Sequence, residues 1–471
     1  MAEGHFHARL VQAVDRSGTP RSVYSQDTTL SRRGLLTRAE RRARELAGMG
    51  VGARDLVALS MGNVAEFLIL LVALSKLDAI AMPVDPANGD GTLLRATERL
   101  PVRAVIRRPR GHETAALDYP GGYAVRSRKR LTSSLLTVDI LEPPAALQAI
   151  EIPKDTELVM EARGIGGILR DTLRTGAELR EIGRAACSTL ALEEGAKILC
   201  AQPFTVPRFF DPVVLGWLES EAQLVMAEGP APASVVPIAR TTENLIVVES
   251  LRQLIELSRA VRASGQSLPI VPVIPQATVP LENGRTIKQA FGTALRQLLL
   301  LEEVGVLASR VMERGETFVP AAGVELRAGA AMRCGGAEVL VRTAQHSLTV
   351  PPLPAGHPGA PAEDGFVHTG YAARFKQQQL LELVGRDDGL VNLEGRRACL
   401  DSIEEAMLQH RRLTWARATL VHASDGDPQV QLEYVATGET EVDDIEEHAV
   451  GALPPFMVPR SFDRLREQPQ A

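Results

Sequence analysis

Helical and strand patterns alternate along the first hundred residues, and this alternation constrains the fold more than any other feature. Residues 36–49 have the apolar spacing of an amphipathic helix, which Gly50 should end. Residues 57–59 and 79–84 are apolar runs typical of strands, and Asn63 is expected to cap the helix between them. Strands alternating with helices predict a mostly parallel sheet covered by helices.

The same pattern continues beyond the first hundred residues, with further strands expected at 197–200, 223–226 and 268–273. From 323 to 350 the sequence changes to shorter strands and turns, and a Pro/Gly-rich connector follows at 351–365. A compact α+β unit is expected after about 386, with Asp401 and Glu404 as the capping box of its first helix. We therefore predict an α/β fold with a large N-terminal domain of helix-covered sheets, 1–385, and a small C-terminal α+β domain, 386–471.

Charge and cysteine spacing exclude several classes of function. The net charge is −6 and the pI is about 5.9, which argues against a nucleic-acid-binding protein because such proteins usually carry a basic field. The four cysteines are far apart and form no CxxC pair, so neither a metal site nor a disulfide framework is expected: they are Cys187, Cys200, Cys334 and Cys399.

The location of the protein is also predicted from apolar patterning. Residues 65–84 are strongly apolar, but Lys76 and Asp78 interrupt them, so a buried helix followed by a strand is expected rather than a membrane span. The first ten residues lack the apolar segment of a signal peptide. These features predict a cytoplasmic protein with no membrane partner.

Three segments carry a resemblance to a known family. They are "LTRAERRARELAGMGVGARDLVALSMGNVAEFLILLVALSKLDAIAMPVDPA" from residue 36, "FVHTGYAARFKQQQLLELVGRDDGLVNLEGRRACLDSIEEAML" from residue 366 and "ALPPFMVPRSFDRL" from residue 452. In this order they resemble the adenylate-forming superfamily of acyl-CoA synthetases and nonribosomal adenylation domains. The resemblance implies two half-reactions: a carboxylate attacks the α-phosphate of ATP, and a pantetheine thiol then attacks the acyl-adenylate.

The phosphate loop implied by this resemblance falls at residues 161–171. Gly164 and Gly167 remain, and Arg170 stands where the family has a basic residue. Such a loop holds phosphate with backbone N–H groups and hydroxyls. The hydroxyl positions here hold residues without hydroxyls, namely Ala162, Arg163, Ile165 and Gly166. A tight turn leading into a helix is the alternative interpretation of this segment.

Three other nucleotide-binding positions also depart from the family. Glu303 keeps the carboxylate of the family's magnesium motif without its Tyr, Gly and Thr, and the alternative is a solvated or capping glutamate. Tyr371 replaces the aspartate that grips both ribose hydroxyls, and a phenol cannot accept two such bonds. The reactive lysine is expected to be absent because the sequence stops at Ala471. We therefore expect ATP and magnesium not to be required.

The hinge of the small domain is preserved in the sequence. Gly385-Arg386-Asp387-Asp388 resembles the family's hinge motif, with Asp388 at the pivot. In the family this hinge moves the small domain into the thioester-forming position. A plain inter-domain turn is the alternative.

These departures favour an acyltransferase that uses an activated thioester. The expected reaction moves an acyl or aryl group, such as anthraniloyl, from coenzyme A to the phosphopantetheine thiol of an acyl carrier protein, in the manner of polyketide priming by one branch of the superfamily. A slow ATP-dependent acid–CoA ligase using Arg170 and Glu303 is one alternative. A non-catalytic partner of a biosynthetic complex is the other.

Candidate residues for this transfer can be named. His368 lies beside the ribose motif and is a candidate base for the thiol, and Cys200 at a strand end is a candidate nucleophile; packing roles are the alternatives for both. Phe204, Phe209 and Phe210 are expected to line the acyl pocket or to pack in the core. A basic stretch at 103–110 and 126–130 is a candidate contact for coenzyme A or an acidic carrier protein, with a solvated face as the alternative.

Overall fold

The computed structural model describes residues 6–466 with internal gaps. The residues left out within this range are 17–21, 26–27, 89, 110–116, 164–168, 228, 230, 266–267, 277–278, 280, 313–316, 332–335, 351, 353–358, 363, 377–379, 387–389, 394–395, 424–427 and 439.

The N-terminal part begins with elements that alternate as the sequence predicts. They are α1 (Phe6–Arg16), β1 (Val23–Tyr24), β2 (Thr29–Leu30), α2 (Arg32–Met49), β3 (Leu56–Ser60), α3 (Ala65–Lys76), β4 (Ile80–Val84), α4 (Asp90–Arg99), β5 (Val102–Arg107), β6 (Ala124–Arg130), β7 (Thr137–Glu142), α5 (Ala145–Gln148), β8 (Thr156–Arg163) and β9 (Leu169–Thr175). A 3₁₀ turn spans Pro86–Asn88. Gly50 ends α2 in the left-handed conformation, as predicted.

The central part repeats strand and helix and then becomes a series of strands. Its elements are α6 (Gly176–Leu190), β10 (Lys197–Cys200), α7 (Pro207–Phe210), a π-helical turn (Asp211–Leu215), α8 (Gly216–Leu218), β11 (Gln223–Met226), α9 (Ala231–Thr241), β12 (Leu245–Val248), α10 (Leu251–Ser264), β13 (Ile270–Ile274), α11 (Leu281–Phe291), β14 (Arg296–Leu301), β15 (Gly305–Val311), β16 (Thr317–Pro320), β17 (Glu325–Ala331), β18 (Ala337–Arg342), β19 (Leu348–Val350), β20 (Val367–Lys376) and β21 (Leu380–Arg386).

The C-terminal part is small and mixed. It contains β22 (Leu390–Leu393), β23 (Arg396–Cys399), α12 (Leu400–Leu408), β24 (Leu413–His422), β25 (Pro428–Ala436), α13 (Val442–Ala452), a 3₁₀ turn (Pro455–Met457) and β26 (Ser461–Arg464). β22 and β23 form a hairpin, and β24, β25 and β26 form a three-stranded sheet. These elements share a core of their own that includes Ile403, Leu432 and Ile445.

Two large sheets form the rest of the chain. One has eight strands in the order β19-β9-β8-β4-β3-β5-β7-β6. The other has thirteen strands in the order β17-β18-β20-β21-β16-β15-β14-β13-β12-β10-β11-β1-β2. β10 to β14 pair in parallel, so their carboxyl ends meet at one edge of the sheet. The predicted fold class, an α/β chain with a large sheet domain and a small C-terminal domain, is confirmed.

The main core joins the two large sheets. Val57 and Leu59 of β3 belong to the same buried cluster as Ile198 of β10 and Leu224 of β11, together with apolar residues of α2 and α3. Because side chains alternate along a strand, the other face of β3 packs into a second cluster. The apolar stretch at 65–84 is the buried helix α3 followed by β4, and no described helix has the length and apolarity needed to cross a membrane.

Two helix caps predicted from the sequence are wrong. Val64, not Asn63, is the N-cap of α3, because the Asn63 amide is bonded to the segment after β10 instead. Cys399 is the N-cap of α12, and no side chain caps it. Glu404 accepts the backbone N–H of Ala418 on β24, so this carboxylate ties the helix to the small sheet rather than closing a capping box.

Candidate active site

A cavity of about 480 Å³ lies between the N-terminal part and the C-terminal part. From the N-terminal part, its wall includes the end of β4, α4, the hairpin of β8 and β9, and the start of α7. From the C-terminal part, the wall includes residues 451–456, which lead into the last 3₁₀ turn. Apolar side chains supply much of this wall, including Val84, Leu169, Val206 and Phe456. This volume is typical of small-molecule sites.

The charges on the cavity wall cancel. Among the described residues, three arginines and three carboxylates line it: Arg95, Arg208, Arg396, Asp85, Glu161 and Glu302. Two of the arginines pair with carboxylates of the same wall, and Glu161 pairs with Arg99 at 3.1 Å. A triphosphate carries several negative charges and is normally held in a positive field. The described wall provides no such field.

One wall of the cavity is held by residues from both large sheets. Asn63, which follows β3, donates to the Gln202 carbonyl at 2.7 Å and accepts the Phe204 N–H at 3.0 Å. Glu249, which follows β12, accepts the Ala201 N–H and the Gln202 side-chain amide, both at 2.7 Å. Burial raises the pKa of Glu249 to about 7, and its hydrogen bonds oppose this shift. The segment 201–206 is thereby fixed ahead of α7.

Two ion pairs lie next to this segment, one on the cavity wall and one behind it, and both are almost wholly buried. Arg208 donates from Nε and Nη2 to one carboxylate oxygen of Glu302, at 3.0 and 2.8 Å. Arg174 pairs with Asp211, and its Nη2 donates to the Glu302 backbone carbonyl at 2.6 Å. Burial raises the pKa of Asp211, although Arg174 acts against this. The pair at the cavity therefore rests on a second pair that fixes the Glu302 backbone.

The structure places Glu303 away from the cavity. Glu303, the carboxylate of the implied magnesium motif and a candidate substrate-binding residue, has a fully buried side chain that is not part of the cavity wall. Its carbonyl accepts the Ser347 N–H at 3.0 Å, and Arg170 is close enough for a Coulombic interaction. Arg170 is itself buried on β9 and donates to the Pro352 carbonyl at 3.5 Å. The neighbouring Glu302 faces the cavity instead.

Tyr371 is buried at the position where the resemblance implies a ribose-binding aspartate. It is 5% exposed and belongs to an apolar cluster with Val339, Val341 and Leu381. Its backbone N–H donates to the Thr369 hydroxyl at 3.2 Å, and that hydroxyl donates to the Val339 carbonyl at 2.6 Å. Thr369 thus fixes the strand, while Tyr371 packs in the core.

His368 is not brought to the cavity. It lies on β20 with its Nδ1 3.0 Å from Oε2 of Glu338, and the other oxygen of Glu338 accepts the Gly370 N–H at 3.2 Å. His368 is not among the described residues that line the cavity. A contact between its imidazole and a thiol held there is therefore not supported by the geometry.

The candidate nucleophile and the three phenylalanines are core residues. Cys200 is fully buried, burial raises the pKa of its thiol well above the usual value, and Glu249 adds to this effect. Phe204, Phe209 and Phe210 are at most 2% exposed, and Phe67 and Phe6 pack against Phe204 and Phe210. None of these four lines the cavity, and all four pack in the core.

Some predicted site residues lie outside the described residues. These are Gly164 and Gly167 of the phosphate loop, Asp388 of the hinge and Cys334. Arg386 is described only as the last residue of β21, where its backbone pairs with Tyr371.

The basic stretch is partly used within the fold. Arg128 donates to both oxygens of the buried Asp139, at 2.5 and 2.8 Å, and the Tyr119 hydroxyl donates to the same carboxylate at 2.7 Å. Arg126 pairs with Glu142 at 2.8 Å.

Within the described part of the chain, no cluster of three or more His, Cys, Asp or Glu side chains is arranged to hold a metal ion.

The sequence analysis missed several residues of the cavity wall, among them Arg208, Glu302, Asp85 and Arg396. Arg208 had a visible signal, since it interrupts an apolar run from Val206 to Phe210. Asp85 and Arg396 had none, because their ion pair at 3.1 Å joins residues more than 300 positions apart.

Comparison with known proteins relates this geometry to a family. The family described as AMP-binding enzyme matches residues 10–157. The 2,3-dihydroxybenzoate-AMP ligase of Bacillus subtilis (strain 168) is 23% identical over 417 residues, which are 82% of this chain and 75% of that protein. A dimodular nonribosomal peptide synthase of the same organism is 32% identical over 117 residues, which are 25% of this chain and 5% of that protein.

The fold is shared over nearly the whole chain. An o-succinylbenzoate CoA synthetase (MenE) from Bacillus subtilis, solved with a product analogue, superposes with a TM-score of 0.78 at 14% identity, covering 98% of this chain and 95% of that one. The chain is therefore similar to AMP-binding enzymes over residues 10–157 and shares the fold of an acyl-CoA synthetase over nearly its whole length.

Proposed function

We propose that this protein transfers an acyl or aryl group from the thioester of coenzyme A to the phosphopantetheine thiol of an acyl carrier protein, without ATP. The observation that carries this proposal is the described wall of the cavity, on which three arginines balance three carboxylates and which also contains apolar side chains. The pantetheine arm and an uncharged acyl group are themselves neutral, so they can enter such a cavity without leaving a charge unpaired. A Mg·triphosphate fits such a wall poorly.

Tyr371 supports the same conclusion independently. Its ring packs among apolar side chains where the family resemblance implies an aspartate for the ribose hydroxyls. A nucleotide would therefore lack its bidentate anchor. Glu303, the carboxylate that matches the implied magnesium motif, lies in the interior rather than at the cavity, and its neighbour Glu302 is paired with Arg208.

The chemistry needs only the two thiols and the thioester. The carrier thiolate attacks the acyl carbon, a new C–S bond forms, the C–S bond to coenzyme A breaks, and the released coenzyme A thiolate takes up the proton lost by the carrier thiol. One thioester replaces another, so no oxidant, reductant or nucleotide is consumed. Burial of Cys200 favours direct attack over a covalent enzyme intermediate.

An ATP-dependent ligase is the second candidate, and one observation favours it. Some of the similar proteins carry ligase or synthetase names, including the 2,3-dihydroxybenzoate-AMP ligase and the o-succinylbenzoate CoA synthetase. In this alternative the described cavity would still receive the acyl group and the thiol, while the segment 164–168 would hold phosphate.

One assay separates the candidates. The purified protein is mixed with a panel of aryl- and acyl-CoA thioesters and a holo-carrier protein, with and without ATP, and the carrier is weighed by intact mass spectrometry. We expect acylated carrier to form at the same rate in both conditions. The proposal fails if no thioester acylates the carrier, or if product forms only from a free acid together with ATP and AMP is released.

A further inference from the structure

The Arg208–Glu302 pair is the most unusual feature of the cavity wall. Both side chains line the cavity, yet they are only 3% and 4% exposed. Taking two charges out of water is costly, and an apolar pair of similar volume is often as stable or more so. Fold stability alone therefore does not explain a paired arginine and glutamate at this place.

The pair is also rigidly placed. Two guanidinium nitrogens of Arg208 converge on one oxygen of Glu302, and Arg174 holds the Glu302 backbone from behind. Arg208 sits on α7, directly after the segment that Asn63 and Glu249 fix. Groups held in this way are suited to orienting a ligand, because little further ordering is needed on binding.

From this placement we infer that Arg208 and Glu302 determine which acyl group is accepted, and that they select an uncharged acyl group bearing an amino or hydroxyl substituent. This inference rests on the proposed function for its reaction, but not for its binding preference. A carboxylate has about four acceptor sites and a guanidinium has five donors, so the pair can bond each other and a ligand together.

The charge balance between Arg208 and Glu302 also determines how charged and plain hydrocarbon acyl groups are discriminated. A substituent N–H or O–H can donate to the Glu302 carboxylate without disturbing its pairing with Arg208. An acyl group with its own carboxylate would add a net charge to a nearly dry site and would compete with Glu302 for the guanidinium. A plain hydrocarbon acyl group would displace water from the pair without replacing its hydrogen bonds.

The test measures binding of thioesters directly, so that it does not depend on turnover. Benzoyl-CoA, the ring isomers of aminobenzoyl- and hydroxybenzoyl-CoA, and carboxybenzoyl-CoA are titrated into the protein by calorimetry. In the wild type we expect the best amino or hydroxy isomer to bind at least about tenfold more tightly than benzoyl-CoA, and carboxybenzoyl-CoA at least about tenfold more weakly.

Two variants assign the preference to the pair. Glu302→Gln keeps the side-chain shape but leaves Arg208 unbalanced, so carboxybenzoyl-CoA should become the tighter ligand relative to benzoyl-CoA. Arg208→Met with Glu302→Leu removes both charges, and the Kd values of all thioesters should converge to within about threefold. Arg184→Gln, which breaks the exposed pair with Glu181, is the control that should leave the wild-type order unchanged.

The two proposals can fail separately. Selective binding by the wild type that Glu302→Gln shifts toward carboxybenzoyl-CoA and the double variant abolishes, with no acyl transfer to carrier protein, supports the inference and removes the proposed function. The inference is overturned if all thioesters bind the wild type within threefold of each other, if none binds, or if the wild-type order persists in Glu302→Gln.

Discussion

Arg174 and Asp211 form an ion pair in which neither side chain has any access to solvent. Removing one partner leaves a buried charge without compensation, so we predict that Asp211→Asn or Arg174→Met lowers the free energy of unfolding by about 3–5 kcal/mol. Urea denaturation followed by circular dichroism measures this loss. Arg174→Met combined with Asp211→Leu should recover most of it, whereas breaking the exposed Arg184–Glu181 pair should change stability by less than about 0.5 kcal/mol. Equal losses in the single and double variants would contradict the argument.

Replacing Tyr371 with the aspartate that the family resemblance implies should destabilise the protein without creating a ribose site. Tyr371→Asp removes a buried ring and introduces a carboxylate into an apolar cluster, so we predict a loss of stability of about 3 kcal/mol or more and no gain in nucleotide binding. Tyr371→Phe is the matched control and should cost much less, because it keeps the ring. Thermal unfolding with and without ATP provides both measurements. A stable Tyr371→Asp protein that binds ATP would show that the ribose site is still open.

Cys200 should be dispensable for acyl transfer. Its thiol is fully buried with a raised pKa, so it supplies little thiolate, and we predict that Cys200→Ala keeps at least about half of the wild-type kcat/KM. Labelling of the native protein with a thiol reagent should reach the partly exposed Cys187 before Cys200, as peptide mass spectrometry can follow. A trapped acyl-Cys200 adduct would refute direct transfer.

Arg396 and Asp85 connect the hairpin of the small C-terminal part to the end of β4. Their ion pair at 3.1 Å is only partly exposed, so we predict that Arg396→Ala or Asp85→Ala raises the apparent KM for carrier protein by roughly fivefold, equivalent to about 1 kcal/mol. The charge swap Arg396→Asp with Asp85→Arg should restore part of this loss. If all three variants had the kinetics of the wild type, the pair would not help to hold the hairpin at the cavity.

Glu249 should make stability depend on pH. Its pKa is raised to about 7 in the folded protein and should be near 4.3 in the unfolded chain, so between these values the folded state binds more protons. The free energy of unfolding is therefore expected to fall as pH rises from about 4.5 to 7, by up to roughly 3 kcal/mol, and to level off above. Glu249→Gln should flatten this slope. Because the pKa of Glu178 is also raised to about 7, Glu178→Gln is measured in parallel.

The predictable part of the fold was the part set by local pattern. The period of apolar residues located strands such as β10 and β11 to the residue, and Gly50 marked the end of α2 because only a left-handed residue fits there. The two helix-cap predictions were wrong for a different reason. Asn63 and Glu404 have side chains that suit a cap, but distant backbone groups compete for their hydrogen bonds.

The site was harder to predict because its contacts are long-range. The motif positions located the right loops, yet Glu302 rather than Glu303 faces the cavity, and a difference of one residue reverses which side of a strand end is exposed. Asp85 and Arg396 meet only after the small C-terminal part docks. No spacing rule connects them.

The segment 201–206 has one anchor from each large sheet, Asn63 from the eight-stranded sheet and Glu249 from the thirteen-stranded one. A shift of one sheet against the other must therefore pull on the wall that carries Arg208. Substitutions deep in the layer between the sheets, far from any ligand, should retune acyl preference as well as stability. Directed evolution of this protein toward new thioesters should therefore include substitutions in the layer between the two large sheets.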